Sequence, residues 1–190
     1  MRFKTEEALK LMRQTHIKRW GIVPMKREQS LAEHSFRVWC LALALYDTLI
    51  PIPHNSFERE SVGTWALLHD AEEIWTGDLP STFKRKLEED FGKEVMKDLK
   101  MDVLQKHVPE LAGQMRGIEG TFAACIVKIA DAVEQVAYYR KFGYEQGAVL
   151  DYLYARAATA VKEAAQQFPQ VILATEITVW VEGVVGAPSI

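Results

Sequence analysis

Residues 61–80 read SVGTWALLHDAEEIWTGDLP, so an apolar segment ends in a histidine, two glutamates and two aspartates. The apolar spacing and the glycine that follows predict a helix over about residues 56–75. On such a helix His69 lies four residues before Glu73, and Asp70 lies three before it, so one turn presents an imidazole and two carboxylates together. We expect this turn where the helix leaves the core and a cleft can open.

Two other apolar segments each contain one polar side chain that would be costly to bury without a partner. His34 follows SLAE at residues 30–33, a capping box that predicts a helix start, and faces into an apolar helix. Asp131 lies within CIVKIADAVEQVAYY, where an unpaired buried carboxylate would cost several kcal/mol, and a divalent cation is a natural partner for it. Two imidazoles and two carboxylates suit first-row divalent cations, so the pattern predicts a site for Zn²⁺, Co²⁺ or Mn²⁺, with Fe²⁺ and Mg²⁺ tolerated.

The remaining periodicity predicts an almost wholly helical chain. The segment VILATEITVWVEGVV near the C-terminus is rich in β-branched residues and allows a strand, but no other predicted strand is there to pair with it. We therefore predict an all-α fold, a compact helical bundle in which residues 1–190 form a single domain. The predicted helices cover residues 5–18, 30–49, 56–75, 81–108, 119–141, 148–167 and 171–185.

Composition restricts the class of protein. The 190-residue chain has a formal net charge of -3 and a pI near 6.0, which argues against a broad surface for nucleic acid. No apolar stretch reaches the length of a membrane span, and the charged N-terminus lacks the apolar segment of a signal peptide. Cys40 and Cys125 lie in apolar runs without a CxxC spacing, and we expect two buried free thiols. These features predict a soluble cytoplasmic protein.

The order H…HD…D resembles the hallmark of the HD-domain metal-dependent phosphohydrolases, an all-α superfamily. The similarity to bacterial HD-domain 5'-deoxynucleotidases and to phage dATP triphosphohydrolases extends over the first three-quarters of the chain. It rests on RW at 19–20, LAEHS at 31–35, HDAEEIWTGDLPSTFK at 69–84 and KIADAVE at 128–134. The resemblance implies a small-molecule deoxynucleotide as substrate and a homo-oligomer in the cytosol of a bacterium or a phage-infected host.

The resemblance also implies roles for individual residues. Four positions match metal ligands, namely His34, His69, Asp70 and Asp131. Two match acidic residues of the catalytic site, namely Glu73 as the acid or base and Asp78 beside it. Positions that contact the substrate are matched by Arg19, Trp20 and Lys84, and Ile22 joins Trp20 in base preference.

The substrate-contacting residues have suitable chemistry. Arg19 offers a bidentate fork for phosphate and Lys84 a compact point charge, although Arg85 or Lys86 in the same run FKRKLEED could take the place of Lys84. The indole of Trp20 can stack on a base or a sugar. Gly21 and Ile22 stand where the nucleotidase pattern has a proline and a leucine. This departure and the short chain favour the phage type and an adenine base.

Several functions remain open on the sequence alone. The favoured one is dephosphorylation of dATP, dADP and dAMP to deoxyadenosine, and a 5'-deoxynucleotidase that acts on deoxynucleoside monophosphates is the alternative. A catalytically idle HD domain that senses nucleotides is a different class of function, although all four ligand positions and Glu73 are present. Hydrolysis of a cyclic nucleotide or an alarmone is a further possibility within the superfamily.

Overall fold

The computed structural model describes residues 4–50, 56–92, 94–118, 120–144, 147–169 and 174–186. Within these ranges every regular element is a helix, and β-structure is limited to two isolated bridges. The predicted all-α fold is therefore confirmed. The helices are α1 (Thr5–Leu11), a 3₁₀ helix (Met12–His16), α2 (Leu31–Leu49), α3 (Ser56–Leu68), α4 (Glu73–Thr76), α5 (Ser81–Phe91), α6 (Val95–His107), α7 (Pro109–Arg116), α8 (Phe122–Phe142), α9 (Ala148–Gln167) and α10 (Ala174–Gly186).

Helices α2, α3, α8 and α9 form the centre of the bundle. Helix α2 packs against α3 and α8, and α8 also packs against α3, α9 and α10. Because α8 has neighbours on so many sides, most of its residues from Phe122 to Tyr139 are buried. Asp131 lies in the middle of this helix, so the fold carries its carboxylate into the interior.

Helix α2 starts where the sequence predicted, with Ser30 as the N-cap, but only one half of the expected capping box is present, because the Glu33 carboxylate accepts from Arg27. The side chain of Ser30 accepts a hydrogen bond of 3.1 Å from the backbone N–H of Glu33. This bond satisfies one of the N–H groups that a first helical turn leaves unpaired. It also fixes the turn that carries His34, whose side chain is fully buried.

The structure differs from the prediction after α3. This helix ends at Leu68, residues 69–72 form successive turns, and α4 is a single helical turn over Glu73–Thr76. The expected continuous helix to residue 75 is therefore wrong. His69 and Glu73 do not share a face of one regular helix, and Arg19 NH1 instead links this turn to Glu73, because it lies 2.9 Å from Asp70 Oδ2 and 3.6 Å from Glu73 Oε2.

A lysine from α6 explains why α3 stops where it does. Lys100 Nζ donates a hydrogen bond to the backbone carbonyl of His69, in place of the N–H that a further helical turn would supply. The same ammonium lies 3.5 Å from Glu72 Oε2 and 5.3 Å from the centre of the Trp65 ring. A tertiary contact thus ends the helix and holds the turn that contains the HD dipeptide.

Other expectations need smaller corrections. The helix expected over 5–18 is divided into α1 and the 3₁₀ helix. The segment expected to be helical over 81–108 forms α5 and α6 on either side of Gly92, where the sequence already indicates an interruption and where a φ of 99° favours glycine. The expectation of two buried thiols is wrong, because Cys40 is exposed and Cys125 is only half-buried where it packs against the edge of the core. The segment that allowed a strand forms α10 over its described part. None of the helices in the described ranges combines the length and apolarity needed to cross a bilayer.

Candidate active site

Four side chains from three parts of the fold meet in one place. His34 comes from the first turn of α2, His69 and Asp70 from the turn after α3, and Asp131 from α8. His34 Nε2 lies 3.2 Å from Asp131 Oδ1 and 3.7 Å from Asp70 Oδ2. His69 Nε2 lies 3.3 Å from Asp70 Oδ2 and 3.9 Å from Asp131 Oδ1. His34, His69 and Asp131 each offer a ligand atom within 4.8 Å of the other two, whereas Asp70 is near the two histidine nitrogens but is not part of this group of three. The four residues predicted as ligands thus lie close together, although they come from three separate segments of the chain.

Both imidazoles aim a nitrogen at this place. His34 Nδ1 donates to Glu134 Oε2 at 2.8 Å, and His69 Nδ1 donates to the carbonyl of Ala66 at 2.9 Å. Because a carboxylate and a carbonyl can only accept, Nδ1 carries a proton in both rings. The two Nε2 atoms are buried and have no hydrogen-bond partner. Histidines that bind metals typically show this arrangement, with the second ring nitrogen held by a carboxylate or a carbonyl. The donor set therefore fits a divalent cation.

The surroundings of His34 favour a positive charge at this point. Burial and the charge of Arg19 lower the pKa of His34, but the charge of Glu134 and the nearby carboxylate of Asp131, 3.2 Å from Nε2, raise it to about 9. The same acidic groups would attract a cation held at Nε2. Burial would raise the pKa of Asp131, yet the nearby imidazole of His34 and the charge of Arg156 hold it well below its usual range. This carboxylate therefore stays ionised, as a metal ligand must.

Asp131 is positioned by two residues of its own surroundings. Gln135 Nε2 donates to Asp131 Oδ1 at 2.8 Å, and Arg156 NH2 donates to Asp131 Oδ2 at 3.1 Å. Arg156 NH1 also donates to Gln135 Oε1 at 2.6 Å, which closes the group. Because Arg156 lies on α9, this helix also helps to fix the position of the Asp131 carboxylate.

Glu73 has the surroundings of a proton-handling group. Its side chain is almost completely buried, and Oε1 accepts a hydrogen bond of 2.9 Å from Lys84 Nζ. Its other oxygen, Oε2, lies 3.6 Å from Arg19 NH1 and has no hydrogen-bond partner. Burial and the charge of Asp70 raise the pKa of Glu73 to about 8, in spite of the two cations. A carboxyl group with a pKa near neutrality can both accept and donate a proton.

Two cations lie beside these carboxylates. Arg19 NH1 donates to Asp70 Oδ2 at 2.9 Å, and its side chain is 9% exposed. Lys84 is the member of the run FKRKLEED that reaches the site, because Arg85 and Lys86 instead form exposed ion pairs along α5. The sequence alone left these three residues open.

Trp20 is held beside the site in an unusual conformation. Its φ of 67° costs a non-glycine residue on the order of 1 kcal/mol. Its backbone N–H donates to Asp78 Oδ2 at 2.9 Å, and its indole stacks against Tyr138 with ring centres 6.3 Å apart. Asp78 thus contacts the backbone of Trp20, and Ile22 is 67% exposed two residues further on.

Four residues of this site were not predicted as site residues. Glu134 follows Asp131 by three positions and Gln135 by four, so both share its helical face and the argument from buried polarity applied to them as well. Gln29, which lies between Trp20 and Glu134, and Arg156 could not be found from local sequence, because each reaches the site only through the tertiary fold.

Comparisons with known proteins agree with this geometry. The family model for YfbR-like 5'-deoxynucleotidases matches residues 8–170. A dATP triphosphohydrolase of cyanophage S-2L is 29% identical over 143 residues, which are 75% of either chain. A 5'-deoxynucleotidase of Photorhabdus laumondii is 29% identical over 127 residues, 62% of this chain and 63% of the relative.

A solved structure has the same fold. The HD phosphohydrolase of cyanophage S-2L, bound to dA and one catalytic Zn²⁺ ion, superposes with a TM-score of 0.69 and 24% identity over 98% of each chain. The family match covers every residue of the site described above. It leaves out α10, which contributes no residue to the site. The chain therefore belongs to the YfbR-like 5'-deoxynucleotidase family and is an HD-domain nucleotide phosphohydrolase.

Proposed function

We propose that this chain is a metal-dependent phosphohydrolase that converts dATP, and the corresponding di- and monophosphate, to deoxyadenosine. The observation that carries the proposal is the pair of buried Nε2 atoms of His34 and His69, which have no hydrogen-bond partner and face two ionised carboxylates. The dATP triphosphohydrolases among the relatives support the choice of substrate.

The metal would be held by His34, His69, Asp70 and Asp131. When bound, a divalent cation lowers the pKa of water and neutralises charge on phosphate oxygens. Zn²⁺, Co²⁺ and Mn²⁺ suit this mixed set of nitrogen and oxygen ligands. The relative from cyanophage S-2L, which contains one catalytic Zn²⁺, supports zinc as the first cation to test.

The chain's own groups would bind phosphate and move the proton. Arg19 and Lys84 turn from their carboxylate partners to the phosphate oxygens, which offer the same negative charge. Glu73 Oε2 takes a proton from the attacking water or returns one to the leaving oxygen, which its pKa of about 8 allows near neutral pH. Because Glu73 is buried, bulk water does not compete for this proton.

The base and the sugar would lie against Trp20. The bond from Asp78 to the Trp20 backbone N–H keeps the indole in place, so Asp78 acts here through position. Ile22 is exposed and therefore available to contact the base. We also propose that residues 1–190 form one domain, supported by the packing of α10 on α8 and α9, and that the protein acts as a homo-oligomer in the cytosol.

A substrate screen tests this function. Phosphate or triphosphate release is measured from the four deoxynucleoside triphosphates and the four monophosphates, with Zn²⁺, Co²⁺, Mn²⁺ and Mg²⁺ in turn. We expect the highest kcat/KM for dATP and deoxyadenosine as the final product. Activity confined to monophosphates would instead establish the 5'-deoxynucleotidase. Tight nucleotide binding without a product under any metal would favour the sensor.

A further inference from the structure

Gln29 links two parts of the site that are otherwise separate. Its side-chain oxygen accepts a hydrogen bond of 2.8 Å from Trp20 Nε1, and its side-chain nitrogen donates one of 2.9 Å to Glu134 Oε1. Its backbone carbonyl accepts a bond of 2.9 Å from the N–H of Arg19. The residue is completely buried. Every polar group at its side-chain end is therefore engaged within the protein.

Glu134 extends this link to the metal site. While Oε1 accepts from Gln29, Oε2 accepts from Nδ1 of His34 at 2.8 Å. Glu134 itself is completely buried, and Arg37 Nε also donates to Oε1 at 2.5 Å. A continuous set of hydrogen bonds thus runs from the indole of Trp20 through Gln29 and Glu134 to His34.

The link works in one orientation only. Gln29 has an acceptor at one end of its amide and donors at the other, and Trp20 offers only a donor while an ionised Glu134 offers only acceptors. A reversed amide would place N–H against N–H and oxygen against oxygen. The position of the indole and the position of the carboxylate are therefore set together.

We propose that Gln29 is a positioning residue that couples the tryptophan of the nucleoside site to the metal-binding His34. The inference rests on the proposed function, since it needs a cation at Nε2 of His34. A ring whose Nε2 binds a cation donates more strongly from Nδ1, so Glu134 is drawn toward His34 and Gln29 and Trp20 follow. Binding at one site then affects the other, and the coupling is reciprocal.

A second glutamine provides a matched control. Gln135 is also buried and donates to a carboxylate of the site, Asp131, but its oxygen accepts from Arg156 on α9, and none of the hydrogen bonds among the described residues joins it to Trp20. Gln29→Met and Gln135→Met each remove one amide and keep the side-chain length. Both should weaken metal binding, whereas only Gln29→Met should disconnect Trp20.

The experiment follows Trp20 while the metal site is filled. The protein is labelled with 5-fluorotryptophan, the Trp20 signal is assigned by its loss in Trp20→Phe, and ¹⁹F spectra are recorded during a titration with Zn²⁺. Zinc affinity is measured in parallel by calorimetry, and KM and kcat are determined separately. We expect the Trp20 signal to shift with zinc in the wild type and in Gln135→Met, and to stay unchanged in Gln29→Met.

For Gln29→Met we also expect a roughly 10-fold weaker zinc affinity and a KM that rises more than kcat falls. The coupling would be overturned if zinc did not change the ¹⁹F chemical shift of Trp20 in the wild type, or if it changed that shift equally in Gln29→Met. Either result would leave the proposed function intact. A wild type that binds no divalent cation would remove the proposed function itself. If Gln29→Met does not fold, Trp20→Phe breaks the same link from its other end, and an unchanged zinc affinity there overturns the inference.

Discussion

At the scale of single residues, this site is made by burial. Polar groups that would be solvated at a surface lie inside the bundle, where each needs a partner of opposite character. In His34 and His69, only Nδ1 has a hydrogen-bond partner, and Nε2 has none. Asp70 stays ionised in spite of burial, because the charges of His69 and Arg19 hold its pKa well below its usual range. The unpaired atoms that remain define where a cation belongs.

Replacement of Asp70 tests the ligand set. Asp70→Asn keeps the shape and an oxygen for Arg19 but removes the charge, so we expect kcat/KM to fall by about 10³-fold, the several kcal/mol that a metal ion contributes to such a reaction. Circular dichroism should show an unchanged helical fold. Asp102→Asn, at an exposed position on α6, is the control and should behave as the wild type. Activity above a tenth of the wild-type value in Asp70→Asn would contradict the assignment.

Glu73 is tested through the separation of chemistry from binding. Glu73→Gln keeps an acceptor for Lys84 but removes the proton-transfer group, and we expect kcat to fall by about 10²- to 10⁴-fold. Zinc affinity should stay within a few-fold of the wild type, because Glu73 is not among the predicted ligands. Glu72→Gln is the neighbouring control, because it weakens the contact with Lys100. This variant should lower the free energy of unfolding and leave kcat close to the wild-type value. Equal losses of kcat in both variants would disprove the role of Glu73.

At the scale of elements, each helix brings one part of the site, and the contacts between helices set the distances. Helix α8 supplies Asp131 and Glu134 to one side, and α9 reaches back to Asp131 with Arg156. The turn after α3 is placed by Lys100 of α6. Because the ligands sit on different elements, their spacing depends on packing between helices more than on the backbone of any one of them.

Two ion pairs join α8 to α9, and their variants allow an effect on metal binding to be distinguished from an effect on stability. Arg156 NH2 lies 3.1 Å from Asp131 Oδ2, whereas Lys128 Nζ lies 2.7 Å from Glu163 Oε2 at the surface. Arg156→Met should weaken zinc binding by about 10-fold, since it frees a ligand that Arg156 orients. Lys128→Met should leave zinc affinity unchanged and alter the free energy of unfolding by less than about 1 kcal/mol. Calorimetric zinc titrations of both variants check this, and equal affinities would contradict it.

At the scale of the whole molecule, the proposed metal site would link several elements of the bundle. Its residues come from α2, α8 and the turn after α3, so a cation that binds all of them joins elements that folding has already brought together. Unfolding separates these ligands and loses the binding free energy. The bound metal should therefore stabilise the entire fold rather than one loop.

Metal removal tests this consequence. At a Zn²⁺ concentration 100 times its Kd, the free energy of unfolding should rise by about 2.7 kcal/mol over the chelated protein. For a chain of this size we expect the Tm to rise by about 5–10 °C, measured by calorimetry with zinc and with a chelator. Asp70→Asn should show a much smaller rise. An identical Tm of the wild type in both conditions would contradict a site built from these elements.

Much of the fold and of the site could be predicted from local sequence. The capping box at Ser30 and the apolar spacing of α2 and α8 predicted those helices, and the placement of His34 and Asp131 in apolar segments predicted that they would be buried. The end of α3 could not be predicted in this way, because Lys100 ends it from another helix. The role of Gln29 could not be predicted either, since its partners Trp20 and Glu134 lie on other parts of the chain.

The sequence by itself determined the all-α class, because periodicity is a local property, and its motifs predicted the four residues that lie together at the site. The tertiary structure alone decided which nitrogen of each histidine faces the site, which lysine of the α5 run reaches Glu73, and how Trp20 is joined to His34. Those features depend on hydrogen bonds and charges between distant segments, and such pairs exist only once the helices have packed.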